Sequence, residues 1–201
     1  MTTAQLDGIV LPARDGSTAP LVVNLFGGPG SGKSTLAASL FSDLKACGIE
    51  AACPDEPAKV SIWSGCGWKL DEQVIIMGQI WDNTCALRAH VDVIICDSPI
   101  LLCSAYGTTE PDSFHRLVRD LHTRSRRMNL MVARPAQDYT QSGRRETLHE
   151  AERKDRAISD MLFDLREPAF EIPAAPQARR AARDAVSRHI QRVVRDGDGA
   201  T

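Results

Sequence analysis

The chain has 201 residues, 43% of them apolar and 25% charged, the balance of an ordinary folded domain. Its 24 basic and 26 acidic side chains leave a net charge of −2. These figures exclude a collagen, a disordered tail and a small disulfide scaffold, and no apolar run approaches the ~18 residues that a bilayer crossing needs. Residues 1–20 show no basic stretch followed by an apolar one, so no secretory leader is expected and the expected location is cytoplasmic. The six cysteines form no CxxC pair and have no histidine at zinc-site spacing. They are expected to be reduced and mostly buried.

In chain order, residues 1–19 are polar and aperiodic and predict an extended arm or loop. Leu21–Phe26 (LVVNLF) predicts a buried strand, followed at once by glycines. A helix is expected from about Gly32, with Leu36, Leu40, Phe41 and Leu44 on one face, stopped at Gly48. Glu50–Cys53 predicts a short second strand ended by Pro54. Residues 54–67 predict loop with at most a short helix. Leu70–Leu87 predicts a helix with Val74, Met77, Trp81 and Cys85 inward.

Val91–Cys96 (VDVIIC) predicts a third strand. Asp112–Arg124 predicts an amphipathic helix with Phe114, Leu117, Val118 and Leu121 inside. Asn129–Ala133 predicts a fourth strand, Leu148–Leu165 a helix and Phe170–Ile172 a fifth strand. Pro176–Arg195 predicts a terminal helix, with residues 196–201 frayed. Strands alternate with helices, which argues for an α/β fold of three layers, a parallel sheet of about five strands between helices. Residues 20–195 are expected to form one domain.

Charge is distributed unevenly. Residues 1–115 carry 6 basic and 13 acidic side chains; residues 116–201 carry 18 and 13, with Lys154 the one basic residue there that is not arginine. Arg116, Arg119, Arg124, Arg126 and Arg127 form one group. Arg179, Arg180, Arg183, Arg188, Arg192 and Arg195 lie along the terminal helix. Guanidinium forks match phosphate oxygens. They read either as solvated helix faces or as a track for a nucleic-acid backbone, which such contacts would position without reading its sequence.

The stretch Gly27-Gly28-Pro29-Gly30-Ser31-Gly32-Lys33-Ser34 fits GxxxxGK[ST] at every fixed position, between a predicted strand and a predicted helix. Glycines let successive N–H groups converge on phosphate oxygens, and the helix N-terminus adds positive potential. Lys33 is expected to reach the β- and γ-phosphates and Ser34 to bind Mg²⁺, with Thr35 completing the nucleotide-binding segment. The third strand ends in Asp97, a second candidate for the Mg²⁺ site. Ser98 follows it, not a second carboxylate that could polarise water, and the sequence holds no NKxD segment for guanine. ATP is therefore the expected donor, and water is not the expected acceptor.

Asp55 and Glu56 follow the second strand, beyond the carboxyl end where open α/β sheets place ligands. Either carboxylate could accept the proton of an attacking hydroxyl. Trp63 could stack on a flat base, or fill a core. Gln73 and Gln79 could pair with a base edge, or sit at a helix boundary. Between the fourth strand and the next helix, about residues 135–147, a polar stretch reads as a lid. Arg144, Arg145 and, just before it, Arg134 are candidates to neutralise the moving phosphoryl group. Arg153 and Arg156 share a helix face and could meet donor phosphates or solvent.

Glu56-Pro57 with an aromatic shortly after resembles the EP…W segment of deoxynucleoside kinases, whose Glu faces the nucleoside hydroxyl. Residues 21–172 as a whole resemble a group of bacteriophage P-loop kinases: NLFGGPGSGKST, a Glu after strand two, a Gln-bearing second helix, a strand ending in DSP, and a lid with Gly143-Arg144. That group is similar to nucleoside and nucleotide kinases and includes the phage 5-hydroxymethyluracil DNA kinases. The resemblance implies a P-loop kinase that uses ATP and Mg²⁺. The expected acceptor is the hydroxymethyl group of 5-hydroxymethyluracil in DNA. A free nucleoside or nucleotide is the alternative, and a P-loop ATPase or regulator without a phosphorylated acceptor a third reading.

Overall fold

The computed structural model describes residues 19–135 and 147–198. Its centre is one sheet of five parallel strands: β1 (Leu21–Phe26), β2 (Ala51–Ala52), β3 (Val93–Cys96), β4 (Arg127–Val132) and β5 (Ala169–Ile172), in the order β2-β3-β1-β4-β5. The three central strands are apolar because both sheet faces are covered. Leu21, Val23 and Leu25 point into a core shared with α1 (Lys33–Ala46) and the last helix, α7 (Pro176–Asp198). Val22 and Phe26 point the other way, into a core shared with α3 (Gln73–Leu87), α4 (Leu102–Tyr106), α5 (Asp112–Thr123) and α6 (Leu148–Asp164). The short α2 (Pro57–Trp63) follows β2.

A polar pair interrupts the apolar centre. Asn24 and Asn129 are directly paired in the β1–β4 register, and Asn24 Nδ2 donates to Asn129 Oδ1 at 3.0 Å. Asn129 Nδ2 in turn donates to Glu167 Oε2 at 3.2 Å. Shifting either strand by one residue would turn one amide to the opposite face and leave it unpaired, so the pair fixes the register.

The strand order decides where a ligand can sit. The chain leaves β1 towards β2 over one face and leaves β3 towards β4 over the other. The crevice at their carboxyl ends is the switch point of the sheet, and both Gly27–Ser34 and Asp97 lie there.

Several expectations are corrected. The helix expected from Leu70 begins at Gln73, after a 3-10 turn at Gly67–Asp71, and its buried face is Gln73, Ile76, Met77, Ile80 and Thr84. Val74 and Cys85 are exposed. The apolar run in this helix is nearly continuous, so periodicity admits a rotated stripe. Phe41 and Leu117 are also exposed at the rims of their helices. Of the cysteines only Cys96 and Cys103 are buried; all six are free. Burial pushes the thiol pKa of Cys96 and of Cys103 up to about 12. The terminal helix runs on to Asp198. Among the described residues no helix is long and apolar enough to cross a membrane.

Candidate active site

The crevice brings together residues from five segments. At the start of α1, Lys33 Nζ donates back to the carbonyl oxygens of Gly27 (2.8 Å) and Gly28 (3.1 Å) in the loop after β1. Burial pulls the Lys33 pKa down; Asp97, Glu56 and Asp155 oppose this by their negative charge, and Arg134 adds to it. Those four side chains therefore act on the lysine by their charge.

Ser34, on the first turn of α1, donates its hydroxyl to Asp97 Oδ2 at 2.6 Å. Asp97 Oδ1 and Ser31 Oγ are buried with no hydrogen-bond partner among the described residues. A buried carboxylate oxygen left unsatisfied is costly unless something else completes it. A hard divalent cation takes a hydroxyl and a carboxylate of this kind. The donor set thus fits Mg²⁺, which Ser34 and Asp97 would hold.

Glu56 and Asp55 differ in placement. Glu56 caps the start of α2 in an extended conformation (φ −76°, ψ 109°), is half-buried, and exerts its charge on Lys33. Asp55 is exposed, and its charge acts on Cys53. Of the two candidates, Glu56 is the one whose charge acts on Lys33. Trp63 ends α2, so about 10 Å of helix separates it from Glu56. It is 70% exposed, with Lys59 Nζ 5.1 Å from its ring centre. It fills no core, and it does not adjoin the carboxylate. Gln73 is buried and spends its amide on the carbonyl of Leu70 (2.7 Å), fixing the start of α3. Gln79 is half-buried, with Oε1 unpartnered among the described residues.

Arg134 lies just beyond β4. Its Nη1 donates to the carbonyl of Pro29 at 2.6 Å and its Nε to Asp155 Oδ2 at 2.8 Å. Asp155 Oδ1 accepts the N–H of Gly28 at 2.5 Å. A Cβ on Gly28 would stand 2.7 Å from both the Ala151 carbonyl and Asp155 Oδ1, so only glycine admits this approach of α6 to the loop. Asp155 is a residue that sequence reasoning missed; one acidic residue on a polar helix carries no signal by itself. Arg179 was placed only in a generic basic group, yet it also touches the loop, through the Ser31 carbonyl. Thr35 is exposed on α1. Gly30, like Gly27 and Gly32, has positive φ. Arg144 and Arg145 lie outside the described residues. Arg153 is exposed and 4.0 Å from Glu150, and Arg156 is also exposed.

A family described as an AAA domain matches residues 22–180, which include the whole glycine loop, Asp97, Arg134 and Asp155. The chain belongs to that family. Solved structures repeat the fold of this AAA domain. NadR protein in complex with NAD and AMP-PNP superposes with a TM-score of 0.63 at 15% identity, over 87% of this chain and 50% of that one. NadR protein in complex with NR gives 0.60 at 17% identity, over 87% and 52%. The chain thus spans about half the length of those NadR structures. APE1195 gives 0.53 at 16% identity, over 89% and 98%. No curated protein matches the sequence. At these identities the likeness is one of fold: a P-loop NTPase fold with a nucleotide-binding loop at its switch point.

Proposed function

We propose that this AAA domain is an ATP- and Mg²⁺-dependent kinase that phosphorylates a hydroxyl on a nucleoside-like acceptor. The observation that carries the reading is the Ser34–Asp97 contact beside the glycine loop, at 2.6 Å, together with the half-buried Glu56 carboxylate beyond β2, whose charge acts on Lys33. Ser98 follows Asp97, where an ATP-hydrolysing machine would carry a second carboxylate.

In this reading the acceptor hydroxyl oxygen attacks the γ-phosphorus, the bond from that phosphorus to the ADP oxygen breaks, and Glu56 takes the hydroxyl proton. Loop N–H groups and Lys33 hold the charge on the β- and γ-oxygens. Mg²⁺ held by Ser34 and Asp97 would neutralise further negative charge on the same oxygens. Arg134, Arg144 and Arg145 are the candidates for charge on the transferring group.

Two acceptors fit this chemistry. The family resemblance supports the hydroxymethyl group of 5-hydroxymethyluracil in DNA, with the base taken out of the stack. The arginine distribution supports a free nucleoside or nucleotide. Arg124, Arg126 and Arg127 lie at the amino edge of the sheet, opposite the cradle, and Arg127 is bonded through two nitrogens to Glu167. Arg183 is paired with Asp43 and Asp184. The test is transfer of labelled γ-phosphate from ATP to 5-hydroxymethyluracil DNA, thymine DNA, and a panel of free nucleosides and nucleotides. Label in the modified DNA alone establishes the DNA acceptor. Label in a free nucleoside or nucleotide establishes the other. ATP hydrolysis with no labelled acceptor would overturn the kinase reading.

A further inference from the structure

The basic residues of α7 have no part in the reading above, but one of them is built into the cradle. Arg179 stands in the first turn of α7 and turns inward. Its Nε donates to the carbonyl of Pro173 at 3.0 Å, its Nη1 to the carbonyl of Ser31 at 3.1 Å, and its Nη2 to the carbonyl of Ala133. Pro173 and Ala133 directly follow β5 and β4, and Ala133 N–H is bonded to the Ile172 carbonyl at 2.9 Å. Two of the three acceptors therefore sit at the carboxyl ends of sheet strands, and the third belongs to the glycine loop.

Two further facts give this contact a consequence. In a trans peptide the C=O and the following N–H point in opposite directions. Drawing the Ser31 carbonyl towards Arg179 therefore turns the Gly32 N–H away from it. Gly32 itself has φ +94°, and a Cβ there would stand 2.6 Å from Arg179 Nη1. Glycine is favoured there by its conformation, and a side chain would also push the guanidinium aside.

We propose that Arg179 is a positioning residue of the phosphate cradle: anchored on the ends of β4 and β5, its guanidinium holds the Ser31 carbonyl outward and so aims the Gly32 amide at the donor phosphates. The proposal rests on reading Gly27–Ser34 as the donor-phosphate site. A planar fork with donors in fixed directions suits three carbonyls at once; an ammonium is a point charge that cannot keep all three in place. Loop dipoles set before binding need no reorganisation when the phosphates arrive, which is where such a brace gains its effect.

The test compares the wild type with Arg179→Met and Arg179→Lys. Calorimetry gives the affinity for Mg²⁺·ATP and for tripolyphosphate, and hydrogen exchange is followed without nucleotide. The expected result for Arg179→Met is about tenfold or greater weakening for both phosphate ligands, the size typical of losing a residue that orients a binding group. Amides of residues 27–35 should exchange faster while those of β1 and β3 do not change. Arg179→Lys should stay close to Arg179→Met, because the charge returns but the fork does not. Wild-type affinity in Arg179→Lys would mean that charge alone suffices and would overturn the brace. Unchanged exchange in residues 27–35, or exchange raised equally in β1 and β3, would overturn it as well. If the wild type bound neither phosphate ligand, the cradle reading would fail, and the proposal with it, whatever the exchange showed.

Discussion

β4 has an arginine–carboxylate pair at each end, and the two are put to opposite uses. At the amino end, Arg127 is bonded to Glu167 at 3.0 and 2.7 Å, Asn129 adds a third donor, and His122 Nε2 lies 3.3 Å from the same carboxylate. Burial would raise the Glu167 pKa, but His122 and Arg127 outweigh it and hold the carboxyl down at about 2. The cluster closes on itself. At the carboxyl end, Arg134 and Asp155 also pair, but each keeps a contact with the backbone of the glycine loop, at Pro29 and Gly28. A salt bridge whose donors are all spent inward locks a sheet edge. One that shares them with a loop sets the shape of that loop.

The comparison makes ordered predictions. Lys33→Ala, at the carboxyl edge, should cost at least ~10²-fold in transfer with the melting temperature nearly unchanged, because a preorganised donor to the phosphates is lost. A steady-state assay beside a thermal melt checks this, and full retained turnover would break the assignment. Glu56→Gln should lower kcat by roughly 10²-fold, within the range for a general base, and leave ATP affinity within about twofold. Loss of affinity without loss of kcat would make Glu56 a binding group instead.

Arg134→Met should weaken ATP binding by about tenfold and affect stability little, since the residue grips a loop and not the core. Glu167→Gln should do the reverse. It leaves Arg127 without its charged partner and should destabilise by about 1–3 kcal/mol with kcat unaltered. Activity lost in proportion to ATP affinity would erase the distinction between the two ends of β4.

The smallest effect is on pH. Burial chiefly lowers the folded-state His122 pKa, against the opposing effect of Glu167. The unfolded chain therefore binds more protons than the folded one as pH falls through the ordinary histidine range and then the carboxylate range. Both groups stabilise the fold above those ranges. The Glu167 contribution shrinks as pH drops below its unfolded value, roughly 4.3, and is gone below a folded pKa of about 2. The wild-type melting temperature should thus fall with acid, and in Glu167→Gln the fall should be shallower in the carboxylate range, below roughly pH 4.3.

Much of this was legible in the sequence, for a physical reason. A glycine loop between a buried strand and a helix is a local pattern, and so is a strand ending in Asp97; each depends on neighbours within a few residues. The rotated face of α3 was not legible, because an apolar run fits several stripes and only packing chooses among them. Asp155 and Arg179 were hidden for another reason. Their partners, Gly28 and Ser31, are 127 and 148 residues away, and sequence spacing says nothing about contacts of that range. Sequence alone does not separate Asp55 from Glu56; their differing burial and charge environments come from how the chain turns after β2.

The Ser31–Arg179 contact also bears on how the protein is made. The glycine loop comes early in the domain, yet β4, the neighbour of β1, follows about a hundred residues later, and the arginine that touches the Ser31 carbonyl is 148 residues away. A growing chain would carry the phosphate-binding motif well before the residue that braces it. If Arg179 braces the loop as proposed, the loop takes its final shape only once α7 has docked, and competence to handle nucleotide waits on that late contact.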